Sequence, residues 1–141
     1  MSHTYSSLHV HVIFSTKQRQ PIIPPELQPL LWAYMTSIAK RLGVGVLAIG
    51  GFDDHAHLGI ALPPKDTDVS VLVQKIKANS SRWMNSEHVK DFQWQEGFGA
   101  FSISMSHTAA LVRYIKNQRE HHKKISFAEE WARILKKHGL G

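Results

Sequence analysis

Three absences narrow what this chain of 141 residues can do. It contains no cysteine, which excludes a disulfide scaffold, a cysteine zinc site and a thiol nucleophile. No apolar run approaches the ~20 residues that a membrane-spanning helix needs, and the polar opening Met1-Ser2-His3-Thr4 is not typical of a signal peptide. We therefore expect a cytoplasmic protein that does not contact a membrane.

Other shortages concern catalysis. The sequence has no G-x-S-x-G elbow for a nucleophilic serine and no G-x-x-x-x-G-K-[ST] loop for a nucleotide. Its 11 acidic residues are dispersed, which disfavours a nuclease that places several carboxylates around two metals. There are only three tyrosines. Tyr34 falls on the apolar stripe of a predicted helix and Tyr5 lies close to the first residues, which leaves Tyr114 as the candidate for tyrosine chemistry.

The chain does have an ordinary globular composition and an excess of positive charge. Hydrophobic residues make up 43% and charged residues 20% of the sequence, which excludes a disordered basic tail and fits one domain over residues 1–141. Lys and Arg number 17 against 11 Asp and Glu, a net charge of +6. From residue 113 onward there are eight basic and three acidic residues. Such a patch favours a polyanionic partner such as nucleic acid, although a solvated basic helix face has the same pattern.

The hydrophobic periodicity predicts an alternation of strands and helices. Short runs rich in β-branched and aromatic residues predict strands at residues 8–14, 44–49, 56–62 and 98–104. Apolar residues at helical spacing predict helices over 26–42, from about 69 to 84, over about 108–122 and over about 126–138, the last opening with a capping box at Ser126. The order predicts an α+β, ferredoxin-like (βαββαβ) fold. This is an antiparallel four-stranded sheet with helices on one face plus two C-terminal helices.

Two histidines at the start of the third strand form a candidate metal site. His55 and His57 are two residues apart, so both side chains project from one face of the strand. Two imidazoles so placed can hold one divalent metal, with Asp54 beside them in the preceding turn. His9 and His11 repeat the spacing on the first strand. Spacing alone does not choose between the pairs, and partly buried structural histidines are the more frequent outcome of such a pattern.

The third predicted helix carries a tyrosine in cationic surroundings. Tyr114 and Gln118 are four residues apart and share a face, while Arg113 and Lys116 flank the tyrosine. Positive neighbours make a phenolate easier to form and a phosphate easier to hold. The alternative is a tyrosine that packs at the edge of the core with its hydroxyl in water.

The ordered set of motifs resembles the HUH single-tyrosine transposases of the insertion-sequence-200-like kind, including the relatives associated with repetitive extragenic palindromes. The resemblance runs through almost the whole chain. It rests on five segments, which are FSTKQR at 14–19, GGFDDHAHL at 50–58, KANSSRW at 77–83, WQEGFGAFS at 94–102 and YIKNQREHH at 114–122. The set is specific, although the two-histidine spacing alone is weak.

The resemblance implies a transposase-type enzyme that cleaves and rejoins single-stranded DNA. The metal ligands of the family correspond to His55, His57 and Gln118, and its nucleophile corresponds to Tyr114. With Mg²⁺ or Mn²⁺ bound, attack of the tyrosine on a phosphodiester would give a 5′-phosphotyrosine and a free 3′-OH, and the strand could be resealed without ATP.

The resemblance also assigns the remaining polar residues and the partners. Asp54 would orient a histidine, while His9 and His11 would have structural roles. It implies a homodimer in which the tyrosine of one protomer can serve the metal site of the other, a DNA stem-loop as substrate, and a location at the prokaryotic nucleoid. Six basic residues are candidates for contacts with DNA phosphates: Lys17, Arg19, Lys77, Arg82, Arg113 and Lys116.

The alternative is a non-catalytic module of the same fold that binds single-stranded nucleic acid. The joint presence of His55, His57, Tyr114 and Gln118 favours the enzyme, since a binding module has no use for all four. Gly59 departs from the family pattern, because it stands in a strand usually filled by aliphatic residues. We expect it either to weaken the strand or to admit the close approach of another backbone.

Overall fold

The elements of the structure follow the predicted order. The structure is a computed structural model that describes residues 5–63 and 67–140, so the polar opening at residues 1–4 lies outside the described residues. None of the helices in these two ranges is long and apolar enough to cross a membrane. The strands are β1 Leu8–Ser15, β2 Gly45–Gly51, β3 His55–Leu62 and β4 Gly99–Ile103. The helices are α1 Gln28–Arg41, α2 Val69–Glu87, α3 Thr108–Lys116, α4 Gln118–His121 and α5 Phe127–Lys137.

The four strands form one antiparallel sheet in the order β2-β3-β1-β4. This order confirms the ferredoxin-like prediction, with β2 and β3 as the predicted hairpin. The central strands β1 and β3 pair over their whole length, from Leu8 opposite Leu62 to Ser15 opposite His55. The histidine pair therefore stands at the start of a central strand.

Side chains alternate between the two faces of the sheet, and helices cover both faces. Val12 and Leu58 point to one face, where they join α1 and α2 in the main hydrophobic core. On the opposite face, Ile13 and Phe101 pack against α5, and Ala48 packs against α3. The C-terminal helices thus cover the face that α1 and α2 leave free, and they enclose whatever β1 and β3 present there.

The helix predicted over about 108–122 is interrupted at Asn117. The backbone of Asn117 departs from helical geometry with φ −99° and ψ 17°, and α4 resumes at Gln118. Half of the predicted capping box of α5 is present: Ser126 Oγ accepts a hydrogen bond from the backbone N–H of Glu129 at 3.2 Å, whereas the Glu129 carboxylate accepts one from the Ser126 hydroxyl at 3.3 Å. The turn between α4 and α5 brings α5 back onto the sheet.

Two glycines let α3 lie close to the sheet. A Cβ atom on Gly50 would be 2.6 Å from the carbonyl oxygen of Ile115. A Cβ atom on Gly59 would be 3.2 Å from Ile115 Cδ1 and 3.3 Å from Leu111 Cδ2. Gly59 thus admits a close approach, although of side chains rather than of a backbone. Because α3 packs so tightly over β2 and β3, the residues at its C-terminal end reach the histidine pair.

Candidate active site

His55 and His57 lie on the face of β3 that the C-terminal helices cover, and both are fully buried. Their rings stand edge to face with centroids 5.0 Å apart. The histidines of the other pair, His9 and His11, make separate contacts. His9 Nδ1 lies 3.0 Å from Thr108 Oγ1 and ties β1 to the start of α3. His11 Nε2 lies 2.8 Å from His57 Nδ1 and so supports the ring of His57.

The end of α3 and the start of α4 bring Tyr114 and Gln118 to the histidine pair. Gln118 Oε1 lies 2.9 Å from His55 Nε2, and the Gln118 side chain is buried. The Tyr114 ring stands perpendicular to the His57 ring, with centroids 5.5 Å apart. The tyrosine, the glutamine and the two histidines therefore form one cluster within a single protomer.

Asp54 lies in the turn that precedes β3. Its Oδ1 is 2.7 Å from His55 Nδ1. This contact holds the ring so that the other nitrogen, Nε2, faces Gln118.

The centre of the cluster is Glu130, a residue of α5 that sequence reasoning missed. Its Oε1 lies 3.0 Å from His57 Nε2 and 3.2 Å from His55 Nε2. Its Oε2 accepts a hydrogen bond from the Tyr114 hydroxyl and one from Gln118 Nε2, the latter at 3.1 Å. A signal was present in the sequence, because this acid stands on the otherwise apolar stripe of α5. A carboxylate at such a position is buried and needs partners.

His122 is a second residue that sequence reasoning missed. It follows α4, and its Nε2 lies 2.9 Å from Gln118 Oε1 and 3.2 Å from Glu130 Oε1. Its Nδ1 lies 2.9 Å from the carbonyl oxygen of Ile125. His55, His122 and Glu130 each offer one ligand atom within 4.8 Å of the other two, so these three side chains could share one ion.

Burial lowers the pKa values of the histidines, whereas their hydrogen bonds to carboxylates raise them. Burial by itself lowers the pKa of His55, but hydrogen bonds to Asp54 and Glu130 outweigh it and raise the pKa to about 9. At His57 burial dominates and lowers the pKa to about 4. Burial, followed by the charge of His57, lowers the pKa of His11 to about 3. At neutral pH His55 is therefore the imidazolium that faces the carboxylate.

The same hydrogen bonds govern the two acids of the cluster. Burial raises the pKa of Glu130, but hydrogen bonds from His122, His55 and His57 outweigh it and hold the pKa far below its usual range. Burial, followed by the hydrogen bond to Glu130, raises the pKa of Tyr114 well above its ordinary value. The expectation that cationic neighbours favour the phenolate is wrong in this arrangement, because the Glu130 carboxylate accepts the hydrogen bond of the hydroxyl and so favours its protonated form.

The donors of the cluster fit a divalent metal. His55 Nε2 lies 2.9 Å from Gln118 Oε1, and Nε2 of both His55 and His57 lies within hydrogen-bond distance of Glu130 Oε1. Imidazole nitrogen and amide oxygen are accepted ligands of Mn²⁺, and the oxygen also suits Mg²⁺. Each imidazole is held at its other nitrogen, as metal-binding histidines usually are. The three residues therefore fit the metal that the resemblance implies.

Two of the six predicted phosphate contacts lie beside the tyrosine. Arg113 and Lys116 line a surface groove of about 610 Å³ that Tyr114 also lines. Tyr114 is partly exposed, in contrast to the buried histidines. A strand that follows this groove would pass the tyrosine with cations beside it.

The other four basic candidates are dispersed. The guanidinium of Arg19 lies 5.4 Å from the centroid of the Phe127 ring. Lys17 and Lys77 line a second groove of about 510 Å³. The Lys77 ammonium donates hydrogen bonds to the carbonyl oxygens of residues 95 and 97 at 2.6 and 2.7 Å, so it braces the segment before β4. Arg82 is exposed on α2.

Fold and site together define a ferredoxin-like domain whose central strand carries a buried histidine pair beside one tyrosine. The sequence profile of the family described as "Transposase IS200 like" matches residues 4–118. The chain therefore belongs to this transposase family, as the resemblance predicts. No curated protein matches the chain significantly.

Two solved structures are similar to this chain. A protein from Deinococcus radiodurans R1 assigned as a transposase shares 24% identity with a TM-score of 0.65, over 84% of this chain and 95% of that chain. A REP-associated tyrosine transposase bound to a REP hairpin shares 18% identity with a TM-score of 0.62, over 89% of this chain and 76% of that chain. At these identities the similarity confirms the fold.

Proposed function

We propose that this transposase cleaves and rejoins single-stranded DNA through Tyr114. The observation that carries the proposal is the placement of Tyr114 and Gln118 against the buried His55 and His57 in one cluster. A binding module would not need a tyrosine hydroxyl at a cluster of metal-binding donors. The groove lined by Arg113 and Lys116 beside the tyrosine supports a phosphate-bearing substrate.

In the proposed reaction the Tyr114 oxygen attacks a phosphodiester. A bond forms between this oxygen and phosphorus, and the bond from phosphorus to the 3′ oxygen breaks. The hydroxyl loses its proton and the leaving 3′ oxygen gains one, which gives a 5′-phosphotyrosine and a free 3′-OH. The covalent link retains the energy of the phosphodiester, so a 3′-OH can reverse the step without ATP. When bound by His55, His57 and Gln118, Mg²⁺ or Mn²⁺ would polarise the phosphate and stabilise its developing charge.

A stem-loop with single-stranded flanks is the proposed substrate. A structural relative is bound to a REP hairpin, and the net charge of +6 favours a polyanion. The proposal places the activity at the nucleoid, in a prokaryotic cytoplasm. It also includes a homodimer, and size-exclusion chromatography with light scattering would test this oligomeric state. Tyr114 stands beside the histidine pair of its own protomer, which supports attack in cis.

The test is the formation of a covalent adduct. Labelled hairpin DNA is incubated with the protein and Mn²⁺ or Mg²⁺ and resolved on a denaturing gel. We expect an adduct with the wild-type protein and none with Tyr114→Phe, which should still bind the hairpin. Tyr34→Phe is the matched control, because Tyr34 belongs to α1 and stacks on Trp83 with ring centroids 4.7 Å apart.

Two results would count against the proposal. An adduct of equal yield in Tyr114→Phe would show that another residue is the nucleophile. Binding of the hairpin with no adduct under either metal would favour the non-catalytic binding module. His55→Ala should abolish metal-dependent cleavage and spare DNA binding, since His55 is fully buried and does not line the groove.

A further inference from the structure

We propose that Glu130 is a further ligand of the divalent metal in the proposed active site and that it also positions Tyr114. The inference rests on the proposed function. Glu130 belongs to α5, beyond the residues 4–118 that the family profile matches, so the family match assigns it no role. It is 1% exposed. A carboxylate is seldom buried to this degree unless it is paired or binds a metal.

Three distances around Glu130 are close to the spacing of ligands that share one ion. Adjacent ligands of an octahedral ion with bonds of about 2.1 Å are about 3 Å apart. Glu130 Oε1 is 3.0 Å from His57 Nε2 and 3.2 Å from His55 Nε2, and Gln118 Oε1 is 2.9 Å from His55 Nε2. These three distances, which now serve hydrogen bonds, are therefore close to the spacing of adjacent ligands.

The charge of the site also favours a carboxylate ligand. His55, His57 and Gln118 would all bind as neutral groups, whereas Mg²⁺ and Mn²⁺ prefer anionic oxygen. Within residues 5–63 and 67–140, Glu130 is the only acidic residue in contact with Nε2 of both histidines. Asp54 contacts His55 at Nδ1, on the opposite edge of the ring, so it orients that ligand without sharing its ion.

The second oxygen of Glu130 connects the metal site to the tyrosine. Oε2 accepts the hydrogen bond of the Tyr114 hydroxyl and a 3.1 Å hydrogen bond from Gln118 Nε2. A carboxylate that binds a metal through Oε1 keeps Oε2 free for these contacts. Glu130 would thus hold the hydroxyl next to the ion, at the margin of the groove that Arg113 and Lys116 line.

The test is the binding of Mn²⁺ to the full chain without DNA, measured from the electron paramagnetic resonance signal of free Mn²⁺. Glu130→Gln removes the charge at nearly constant shape, and we expect Mn²⁺ affinity to fall by about 10- to 100-fold. Glu129→Gln is the matched control, because it removes the same charge from an exposed neighbour on α5. Its affinity should stay within about twofold of the wild-type value, since a distant surface charge contributes little. The His57→Ala variant should no longer bind Mn²⁺.

A readout on the tyrosine tests the positioning role. At saturating Mn²⁺, Glu130→Gln should bind hairpin DNA with unchanged affinity but form the covalent adduct more slowly, by about tenfold or more, because an amide has one acceptor oxygen and cannot face the histidines and hold the hydroxyl at the same time. An unchanged rate of adduct formation would overturn this part of the proposal.

The metal-binding outcomes separate the inference from the proposed function. Unchanged Mn²⁺ affinity in Glu130→Gln, with binding lost in His57→Ala, overturns the inference alone. Tighter binding in Glu130→Gln also overturns it, and identifies the carboxylate as a group that occupies the place of the metal. If the wild-type chain binds no Mn²⁺, the metal of the proposed function fails as well.

A second measurement is independent of whether Glu130→Gln folds. Infrared difference spectra of the wild-type protein should show a shift of a carboxylate stretch when Mn²⁺ is added. Glu129→Gln should retain that shift. A wild-type spectrum with no carboxylate shift at saturating Mn²⁺ would overturn the inference.

Discussion

The protein kept in a chelator is expected to lose stability as the pH rises above 6.5. His55 has a pKa of about 9 in the folded chain against an ordinary value of 6.5. Between these values the folded chain holds a proton that the unfolded chain has released, so the free energy of unfolding falls as pH rises. Because the His55 ring is fully buried, its contribution to the free energy of unfolding falls by about 3 kcal/mol between pH 6.5 and 9.

Below pH 6.5 the free energy of unfolding is expected to change with pH in the opposite direction. The pKa values of His57 and His11 are lowered to about 4 and about 3. Below pH 6.5 the unfolded chain takes up protons that these buried rings do not accept, so the free energy of unfolding falls as the pH drops towards 4. The cluster therefore predicts a stability maximum near pH 6.5.

Urea unfolding in EDTA, followed by the fluorescence of the four tryptophans, measures this dependence. Asp54→Asn is the informative variant, because it weakens one of the three hydrogen bonds that raise the pKa of His55, those to Asp54, Glu130 and Gln118. Between pH 6.5 and 9 the free energy of unfolding of this variant should decline less than that of the wild-type protein. A free energy of unfolding that stays constant over this range, or an equal decline in Asp54→Asn, would refute the reasoning. Added Mn²⁺ should reduce the decline, since a metal binds the neutral ring.

Two further predictions concern the approach of α3 and the groove. Gly50→Ala should lower the free energy of unfolding by about 1–3 kcal/mol in urea, because the new Cβ would lie 2.6 Å from the Ile115 carbonyl oxygen; an unchanged value would show that α3 is loosely seated. Replacing Arg113 and Lys116 together by Gln should reduce the salt dependence of binding to single-stranded DNA, by about 0.7 in the log-log slope for each lost phosphate contact. Lys123→Gln, which removes a cation already paired with an acid of α4, should leave the slope unchanged.

Local patterns in the sequence predict most of the fold and half of the site. Alternation along β3 predicts that His55 and His57 share a face, and the four-residue spacing predicts the same for Tyr114 and Gln118. Both relations are short-range, so periodicity expresses them. The pair at Tyr114 and Gln118 still meets the histidines although the helix is interrupted between them at Asn117.

Contacts between residues far apart in the chain were not predictable in this way. Glu130 and His57 are 73 residues apart, and their contact depends on how Phe127 packs against the sheet after the turn that follows α4. His11 pairs across the sheet with Gly59, which has no side chain. The ring of His11 therefore meets its diagonal neighbour on β3, the ring of His57. Neither relation is encoded in a local period.

The sequence by itself determined the order of the elements, the ferredoxin-like sheet, the transposase family and the histidine, tyrosine and glutamine candidates. Only the tertiary structure decided that α5 returns to the second face of the sheet and places a carboxylate among those residues. The physical reason is that periodicity specifies which face a side chain occupies on its own element. Which distant element covers that face depends on the packing of apolar side chains across the whole domain.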